Sequence, residues 1–191
     1  MTALDVGCGT GQLAITLAPL CRRVIGIDRD AEVILKARER ASALGFDNAE
    51  FVVADAEGDE YTRWAPQLVA SHLCMSPEII ARAGRALGPG ELFVFVCFHV
   101  DQWKETGVIS RFALDEGELR ALLVNHGLSV EHLEVEREVR QFGSAEEALG
   151  QAAGLRAKWE SDRRWQRYIK FVEGGGRTLT RSHLIVKARR R

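Results

Sequence analysis

Apolar runs of strand length alternate with amphipathic segments of helix length along most of this 191-residue chain. Such βαβα alternation is typical of a parallel sheet with helices packed on its faces. The first five runs that predict strands are residues 4–6, 23–28, 51–53, 68–74 and 92–98. We therefore expect an α/β fold in which these five strands form the core of a parallel sheet.

Residues at the ends of the intervening segments predict where the first helices start and stop. The expected helices cover residues 12–18, 31–44 and 77–87. Gly45 follows the second helix, as glycine commonly does at a helix C-terminus. Pro77 opens the third helix, at a position where no backbone N–H is needed.

The second half of the chain predicts two further strands and a helical insertion. Residues 130–139 alternate as a half-buried strand does, and residues 183–188 predict the last strand. Between them, the residues at about 144–176 have helical spacing. We interpret this segment as an insertion that covers an active-site mouth, within a single domain of residues 1–191, because no internal repeat or linker marks a second domain.

The composition is that of an ordinary globular protein, with 46% hydrophobic and 28% charged residues. No apolar run approaches the roughly 20 residues that a membrane-spanning helix needs. The four cysteines, Cys8, Cys21, Cys74 and Cys97, form no CxxC pair. We interpret them as reduced thiols rather than metal ligands, and we expect a cytoplasmic protein with no metal site and no membrane contact.

The net charge of −1 hides an uneven distribution of charge along the chain. Residues 1–136 contain 12 basic and 21 acidic residues, whereas residues 137–191 contain 14 basic and 6 acidic residues. A basic final quarter is suited to an anionic partner, such as RNA, an acidic carrier protein or a phosphorylated substrate. The alternative is a solvated helix face followed by a basic tail.

The most specific motif is a strand that runs directly into a glycine-rich turn, Leu-Asp-Val-Gly-Cys-Gly-Thr-Gly at residues 4–11. Glycines there let a ligand touch the backbone, because a Cβ would fill that space. A nicotinamide dinucleotide fold would have a further glycine at position 12 to seat a pyrophosphate, but this chain has Gln12. The spacing therefore favours a ligand without a pyrophosphate over a nicotinamide-dependent oxidoreductase.

Two acidic residues close the next two predicted strands. Asp28 follows Gly11 by 17 residues, and a carboxylate at that place can accept hydrogen bonds from both hydroxyls of a ribose. Asp55 ends the third strand, where its carboxylate and the following N–H are suited to an adenine edge. Each has a structural alternative, an N-cap for Asp28 and a turn residue for Asp55, but their order after the glycine turn is a specific combination.

Together these motifs resemble those of the class I S-adenosylmethionine-dependent methyltransferases, in particular the type 11-like methyltransferase domains. The resemblance implies a doubly wound, Rossmann-like α/β/α fold with a mostly parallel seven-stranded sheet of order 3-2-1-4-5-7-6. In that family the last strand is antiparallel, which suits residues 183–188 as a strand inserted beside the fifth. The resemblance also implies S-adenosylmethionine as cofactor and S-adenosylhomocysteine as product.

By the same resemblance, each part of the cofactor has expected contacts. Asp5 and the glycine turn would hold its amino-acid part, Asp28 its ribose, and Asp55 with Ala56 its adenine. The complete set of expected cofactor-binding residues is Asp5, Gly7, Cys8, Gly9, Thr10, Gly11, Asp28, Arg29, Asp55, Ala56 and Ser71.

The expected substrate is a small molecule or a group on an acidic carrier, methylated at oxygen, nitrogen or carbon. The C-terminal region is loosely similar to that of the malonyl-carrier-protein methyltransferases. The fourth strand ends in Ser-His-Leu-Cys-Met-Ser at residues 71–76, and it lacks the (Asp/Asn)-Pro-Pro-(Tyr/Phe) pattern of many amino-group methyltransferases. The missing pattern argues against methylation of nucleic-acid bases. An RNA methyltransferase, favoured by the basic final quarter, is nevertheless kept as the alternative, together with a non-catalytic protein that binds S-adenosylmethionine.

A general base is optional for methyl transfer, because the sulfonium methyl group is already activated. His72 is the candidate catalytic base, since it stands at the expected carboxyl end of the fourth strand, where ligands bind in such sheets. Its alternative is a structural histidine bonded to a neighbouring loop. His99 and Asp101, just past the fifth strand, are second candidates by the same positional argument.

An apolar stripe marks one face of a helix in the insertion. Trp165, Tyr168, Ile169 and Val172 recur at helical spacing. We interpret the stripe as core, and a hydrophobic roof over the substrate is the alternative.

Overall fold

The computed structural model describes all 191 residues, which divide into two compact units. Unit 1 comprises Met1–Cys97, Glu116–Glu134 and Leu184–Arg191, and unit 2 comprises Phe98–Asp115 and Val135–His183. The helices at the place of the expected insertion belong to unit 2. That residues 1–191 act as one domain, with this segment as an insertion, stays a prediction.

Eight strands form one sheet. They are β1 (Thr2–Val6), β2 (Arg23–Asp28), β3 (Ala49–Val53), β4 (Leu68–His72), β5 (Leu92–His99), β6 (Ala113–Leu114), β7 (Leu128–Gln141) and β8 (Thr178–Arg190). The order is β3-β2-β1-β4-β5-β8-β7, and the two-residue β6 pairs with β5 off this path. Apart from this short extra strand, which shifts the numbering, the order is the one that the sequence predicts.

The first five strands are parallel, and the last strand runs against them. β1 pairs in parallel with β2 and with β4, with Val6 opposite both Ile27 and Ser71. At the other end of the sheet, the Gly90 N–H donates to the carbonyl oxygen of Arg190, and the Arg190 N–H donates to that of Glu91, both at 2.9 Å. Because the end of β8 pairs with the beginning of β5, β8 is antiparallel to it, as predicted.

Seven α-helices connect the strands. They are α1 (Gln12–Leu17), α2 (Ala31–Ala43), α3 (Pro77–Ala86), α4 (Glu116–Asn125), α5 (Ala145–Ala152), α6 (Arg156–Glu160) and α7 (Arg164–Glu173), with short 3₁₀ turns at Ala18–Leu20, Tyr61–Trp64, Lys104–Thr106 and Ala153–Leu155. None of the helices has the length and apolar character needed to cross a membrane.

The helical spacing over residues 155–172 is interrupted between α6 and α7. Arg163 has a left-handed backbone with φ of 66°, which a continuous helix does not allow. The Arg164 N–H then donates to the Asp162 carboxylate at 3.3 Å, so that α7 begins as a new helix. The sequence carries a trace of this break, because no apolar residue lies between Trp159 and Trp165, a gap of six positions that moves off one helix face.

In unit 1, α1 and α2 pack on the sheet through small and aliphatic side chains. Ile15 and Ile34 lie in one buried cluster with Val24 of β2 and Phe51 of β3. The Phe51 ring reaches this place because Gly26 lies beneath it: a Cβ at Gly26 would lie 2.7 Å from the ring. The small volume of Gly26 on β2 therefore determines how closely Phe51 of β3, and the helices packed with it, can approach β2.

In unit 2, an aromatic cluster forms the core. Trp159 is fully buried, and its ring meets those of Trp103 and Tyr168 edge-on, with centroids 5.3 and 5.5 Å apart. Trp165 and Val172 belong to the same buried cluster. The apolar stripe of the sequence is thus core, as first interpreted, since edge-to-face contacts of this kind stabilise buried aromatic rings.

A substitution at Gly84 on α3 tests how closely α3 packs against the end of α4 in unit 1. A Cβ at Gly84 would lie 2.5 Å from the carbonyl oxygen of His126, which follows α4, whereas a Cβ at Gly150 on α5 would have nothing within 4 Å. We expect Gly84→Ala to lower the free energy of unfolding by about 1–3 kcal/mol, because backbone must move. The matched Gly150→Ala should raise it by about 0.5–1 kcal/mol through helix propensity. Urea denaturation measures both changes, and a stabilised Gly84→Ala protein would contradict the close packing.

Candidate functional site

The glycine turn joins the end of β1 to α1 and is fixed on the end of β2. Its three glycines, Gly7, Gly9 and Gly11, all have left-handed φ angles, of 70°, 52° and 80°, which side chains with a Cβ rarely adopt. The N–H groups of Gly7 and Cys8 both donate to the carbonyl oxygen of Ile27 at 2.9 Å. The turn therefore has one defined conformation at the carboxyl end of two neighbouring strands.

Two of the three glycines are required because protein atoms lie close to them, and the third is not. A Cβ at Gly7 would lie 2.4 Å from Cys74 Sγ, and one at Gly11 would lie 2.9 Å from the Phe51 ring. A Cβ at Gly9 would meet nothing within 4 Å. Gly7 and Gly11 are therefore packed against protein, while the tip of the turn at Gly9 faces open space that a ligand can enter.

Asp28 connects the glycine turn with the start of α2. Its Oδ2 accepts the Gly9 N–H at 3.0 Å, and its Oδ1 accepts the Asp30 N–H at 3.1 Å. The N-cap of α2 is Asp30, whose Oδ1 accepts N–H groups from Glu32 and Val33. The capping alternative therefore belongs to Asp30, and Asp28 lies directly beside the open turn.

Asp5 is a buried carboxyl group behind the turn. Its side chain is 1% exposed, and Oδ2 accepts the Ala14 N–H of α1 at 2.9 Å. The pKa of Asp5 is raised to about 7, mainly by burial and in smaller part by the negative charge of Asp28, although the Ala14 hydrogen bond lowers it. Since removal from water disfavours the ionised form, this site favours a positive charge nearby.

Asp55 forms a turn at the end of β3. Its Oδ1 accepts the Glu57 N–H at 2.9 Å, while its own N–H donates to the Asp59 carboxylate at 2.8 Å. Its side chain is exposed. The structural alternative is thus present, and the turn leaves the Asp55 side chain at the surface at the same edge of the sheet as Asp28.

Two residues that the sequence did not indicate hold this turn. The Tyr61 hydroxyl donates to the carbonyl oxygen of Ala56 at 2.6 Å. Arg82, on α3, donates to the carbonyl oxygens of Glu57 and Asp59 at 2.7 and 3.2 Å. The Tyr61 contact spans five residues, whereas Arg82 lies 25 residues from Glu57, so no local pattern could have revealed the Arg82 contacts.

The end of β4 contributes Ser71 and His72. Ser71 is buried, and its Oγ lies 2.9 Å from the Val6 carbonyl oxygen and 2.6 Å from that of Cys74, so its hydroxyl is engaged within the protein. His72 is exposed. Leu73, which follows, has a left-handed φ of 60°, a conformation that is costly for a side chain with a Cβ and is found often at functional sites.

The other expected residues divide into exposed and buried groups. Thr10 and Arg29 are exposed, next to Gly9 and Asp28 respectively. Cys8 is buried, and burial raises the pKa of its thiol. Burial likewise raises the pKa of the Cys74 thiol to about 11. Both thiols are therefore neutral near pH 7 and are poor nucleophiles.

His99 and Asp101 belong to unit 2. His99 is 4% exposed, and its Nδ1 lies 2.9 Å from the hydroxyl oxygen of Ser182. The Asp101 N–H donates to the same nitrogen at 3.2 Å, and the Asp101 carboxylate pairs with Arg137. These contacts orient a buried histidine, and they engage both candidates within their own unit.

The structure thus places the expected cofactor-binding residues at one edge of the sheet in unit 1. Gly9 bonds Asp28, Gly7 packs on Cys74, and the carboxyl ends of the parallel strands carry the rest. Their individual roles toward a ligand stay predictions.

Comparisons with known proteins agree with this geometry. A family model described as a methyltransferase domain matches residues 1–107. A 23S rRNA (uracil(1939)-C(5))-methyltransferase of Xanthomonas campestris is 42% identical over 65 residues, which are 34% of this chain and 15% of that relative. The chain therefore corresponds to only a small part of that relative's length.

Two solved structures share the fold over almost the whole chain. The YcgJ protein from Bacillus subtilis has a TM-score of 0.77 at 13% identity, covering 100% of this chain and 92% of its own. An S-adenosylmethionine-dependent methyltransferase from Mesorhizobium loti has a TM-score of 0.64 at 20% identity, covering 99% and 90%. At these identities the similarity establishes the fold alone.

The raised pKa of Asp5 predicts a defined dependence of stability on pH. Its pKa of about 7 in the folded protein lies above the ordinary value of 3.8, so its contribution to stability is fully present below pH 4 and is lost as pH rises through 7. Asp5→Asn keeps an oxygen for the Ala14 N–H but carries no proton that titrates. In the unchanged protein we expect the free energy of unfolding to fall by up to about 1.4 kcal/mol per pH unit between pH 4 and 7 because of Asp5. In the variant this fall should be absent.

Urea denaturation at pH 4.5, 6 and 7.5 measures this difference. The matched control is Asp30→Asn, which removes an exposed carboxylate from the cap of α2 and leaves an amide that can still cap. If both variants lose the same pH dependence, burial of Asp5 is not its cause.

Proposed function

The chain belongs to the methyltransferase-domain family, and from this membership we propose that it transfers the methyl group of S-adenosylmethionine to a small-molecule or carrier-bound nucleophile. The family and the α/β fold with its strand order agree with the sequence prediction. Membership implies an enzyme whose methyl donor is S-adenosylmethionine, as the resemblance of the motifs also implies.

The observation that carries the proposal is the open tip of the glycine turn beside Asp28. A Cβ at Gly9 would have no neighbouring atom within 4 Å, and the Gly9 N–H lies 3.0 Å from the Asp28 carboxylate. A ligand at this place can therefore touch backbone and carboxylate together. These residues fit a nucleoside joined to an amino acid without a pyrophosphate.

Each part of the cofactor has a proposed partner in unit 1. Asp5, with its buried carboxyl, and the turn of residues 7–11 bind the cationic amino-acid part. Asp28 accepts hydrogen bonds from the ribose hydroxyls, with Arg29 beside it at the surface. Asp55 and Ala56 bind the adenine, while Ser71 holds the ends of β1 and β4 in place.

The bound cofactor supplies a methyl group on a sulfonium, which is already activated for displacement. The protein therefore contributes mainly by aligning the nucleophile with that methyl group and by excluding water. His72 is the proposed general base for a hydroxyl or an acidic carbon, because it is exposed at the carboxyl end of β4 next to the strained Leu73.

Ion pairs engage part of the basic side chains in residues 137–191 and reduce the positive charge that is free for RNA phosphates. Six of them form ion pairs with acidic side chains: Arg137, Arg140, Arg156, Arg164, Lys187 and Arg189. Paired charges contribute little to phosphate binding, which needs basic groups that release counterions. The four cysteines are free thiols, and the cytoplasm, where thiols stay reduced, is the proposed location.

RNA methylation is the second candidate function. The observation that favours it is the 42% identity over 65 residues to an enzyme named for a uracil in 23S rRNA. The matched region is 15% of that relative, so the relative has much additional chain for its own substrate. The basic residues of unit 2 without ion pairs, such as Arg163 and Arg167, would be the phosphate contacts in this case.

Isothermal titration with S-adenosylmethionine, S-adenosylhomocysteine and NAD tests the cofactor. We expect micromolar binding of the first two ligands and none of NAD, because position 12 is Gln12. Asp28→Ala should weaken S-adenosylmethionine binding at least about tenfold through loss of the ribose contact.

The matched control is Asp30→Ala, the same change two residues away. It removes the cap of α2 and should cost about 1 kcal/mol of stability, with cofactor affinity unchanged. Equal weakening by both variants would show a general loss of structure rather than a ribose contact, and binding of NAD would contradict the proposed ligand.

Transfer of a radiolabelled methyl group into fractionated cell extract tests the substrate class. We expect label in the small-molecule or acidic-protein fraction, resistant to ribonuclease. Label that ribonuclease releases would support RNA methylation instead. With the substrate identified, His72→Gln should lower turnover by about a hundredfold at unchanged cofactor affinity, whereas His132→Gln, an exposed histidine on β7, should not.

A further inference from the structure

Unit 2 contains a cavity of about 290 Å³, and none of the residues assigned above to cofactor binding or to proton transfer lines it. Its lining includes Arg140 of β7, Arg181 of β8, Gln151 of α5 and Leu155. The volume is close to the lower end of that of small-molecule sites, which are commonly about 300–1,000 Å³. The cavity can therefore hold a small organic molecule or one end of a larger one.

Of the two guanidinium groups at this cavity, only that of Arg140 is paired with a carboxylate. Arg140 donates to Glu138 at 2.8 Å, with both side chains about half exposed, at 45% and 53%. The pKa of Glu138 lies below its ordinary value because of this hydrogen bond with Arg140, and the positive charge of Arg181 lowers it further. Arg181 itself forms no ion pair. One positive charge is therefore in excess, and an exposed pair such as Arg140–Glu138 is weak enough to rearrange.

The floor of the cavity is apolar and continuous with the core of unit 2. Phe142 and Leu179 are each 6% exposed and belong to the aromatic cluster around Trp159. Leu155 packs against the same cluster and lies at the cavity wall. An apolar group in the cavity would therefore replace water on a rigid hydrophobic surface.

We propose that this cavity is a binding site for a small organic oxyanion, a carboxylate or phosphate attached to an apolar group. Guanidinium groups bind both oxyanions through paired N–H donors, and Arg140 and Arg181 supply them on neighbouring strands. The apolar part of the ligand contacts Phe142, Leu155 and Leu179. This inference rests on unit 2 alone and stands apart from the proposed methyl transfer.

The polarity of the cavity walls determines the orientation of the ligand. Arg140 and Arg181 are the charged residues of the lining, whereas Phe142, Gly154, Leu155 and Leu179 are uncharged. The oxyanion therefore lies at the arginine side, and the apolar group points to Leu155. The Gln151 amide, which also lines the cavity, is a further hydrogen-bond donor.

Nuclear magnetic resonance titration of the ¹⁵N-labelled full chain tests the site. The probes are phenyl phosphate and benzoate, which combine an oxyanion with a ring, and inorganic phosphate and benzyl alcohol, which have one part each. We expect the first two to shift the amide signals of Gln151 and Gly154 and to bind at least about tenfold more tightly than the single-part probes. The ratio between phenyl phosphate and benzoate identifies the preferred oxyanion.

Variants separate the arginine contacts from general charge. Arg181→Gln and Arg140→Gln should each weaken binding of the preferred probe about tenfold. Arg167→Gln, the same change on an exposed arginine of α7 outside the cavity, should change it less than about twofold. Leu155→Ala should reduce the advantage of the aryl probes over inorganic phosphate.

Several outcomes would overturn the proposal. Failure of phenyl phosphate and benzoate to shift Gln151 and Gly154 at ten-millimolar probe would do so. So would equal affinity for inorganic phosphate, or equal weakening by Arg167→Gln and Arg181→Gln. These readouts do not involve S-adenosylmethionine, so they succeed or fail independently of methyl transfer.

Discussion

The carbonyl oxygen of Ile27 accepts N–H groups from both Gly7 and Cys8 at 2.9 Å, and the geometry of the candidate site depends on this pair of hydrogen bonds. They are possible because β1 and β2 are paired with Val6 opposite Ile27. The same register places Asp28 beside the turn, where it accepts the Gly9 N–H. A slip of one residue would turn the buried side chains of β1 to the opposite face and remove the acceptor. Packing of the sheet therefore determines the site as much as the motif does.

The parts of the fold that the sequence predicted are those in which burial alone decides the structure. Continuous apolar runs identify β1 to β5 because both faces of parallel strands are covered, and the observed β2 has the predicted bounds. The last two strands are longer than predicted, Leu128–Gln141 and Thr178–Arg190. Their ends are polar and are held by ion pairs such as Arg189 with Glu131, so hydrophobic alternation could not reveal them.

In the candidate site, too, the sequence predicted the residues of short local motifs and missed the contacts between distant segments. Asp5, Asp28 and the glycines were identifiable because their backbone geometry follows from a short motif. Asp28 and Asp30 both precede α2, and the sequence pattern alone does not determine which of them caps the helix. In the structure the cap is Asp30. Arg82 contacts Glu57 across 25 residues of sequence. A single sequence contains no signal for such a contact, because only the folded chain brings the two together.

The burial of Asp5 has a consequence for any cation that binds near the turn. A carboxyl group with a pKa of about 7 is protonated in about half of the molecules at neutral pH. A bound cation favours the ionised form, so its arrival releases that proton, and the two compete for one position. Acid therefore weakens the binding of a cation beside the turn, because the protonated carboxyl group carries no charge to attract it.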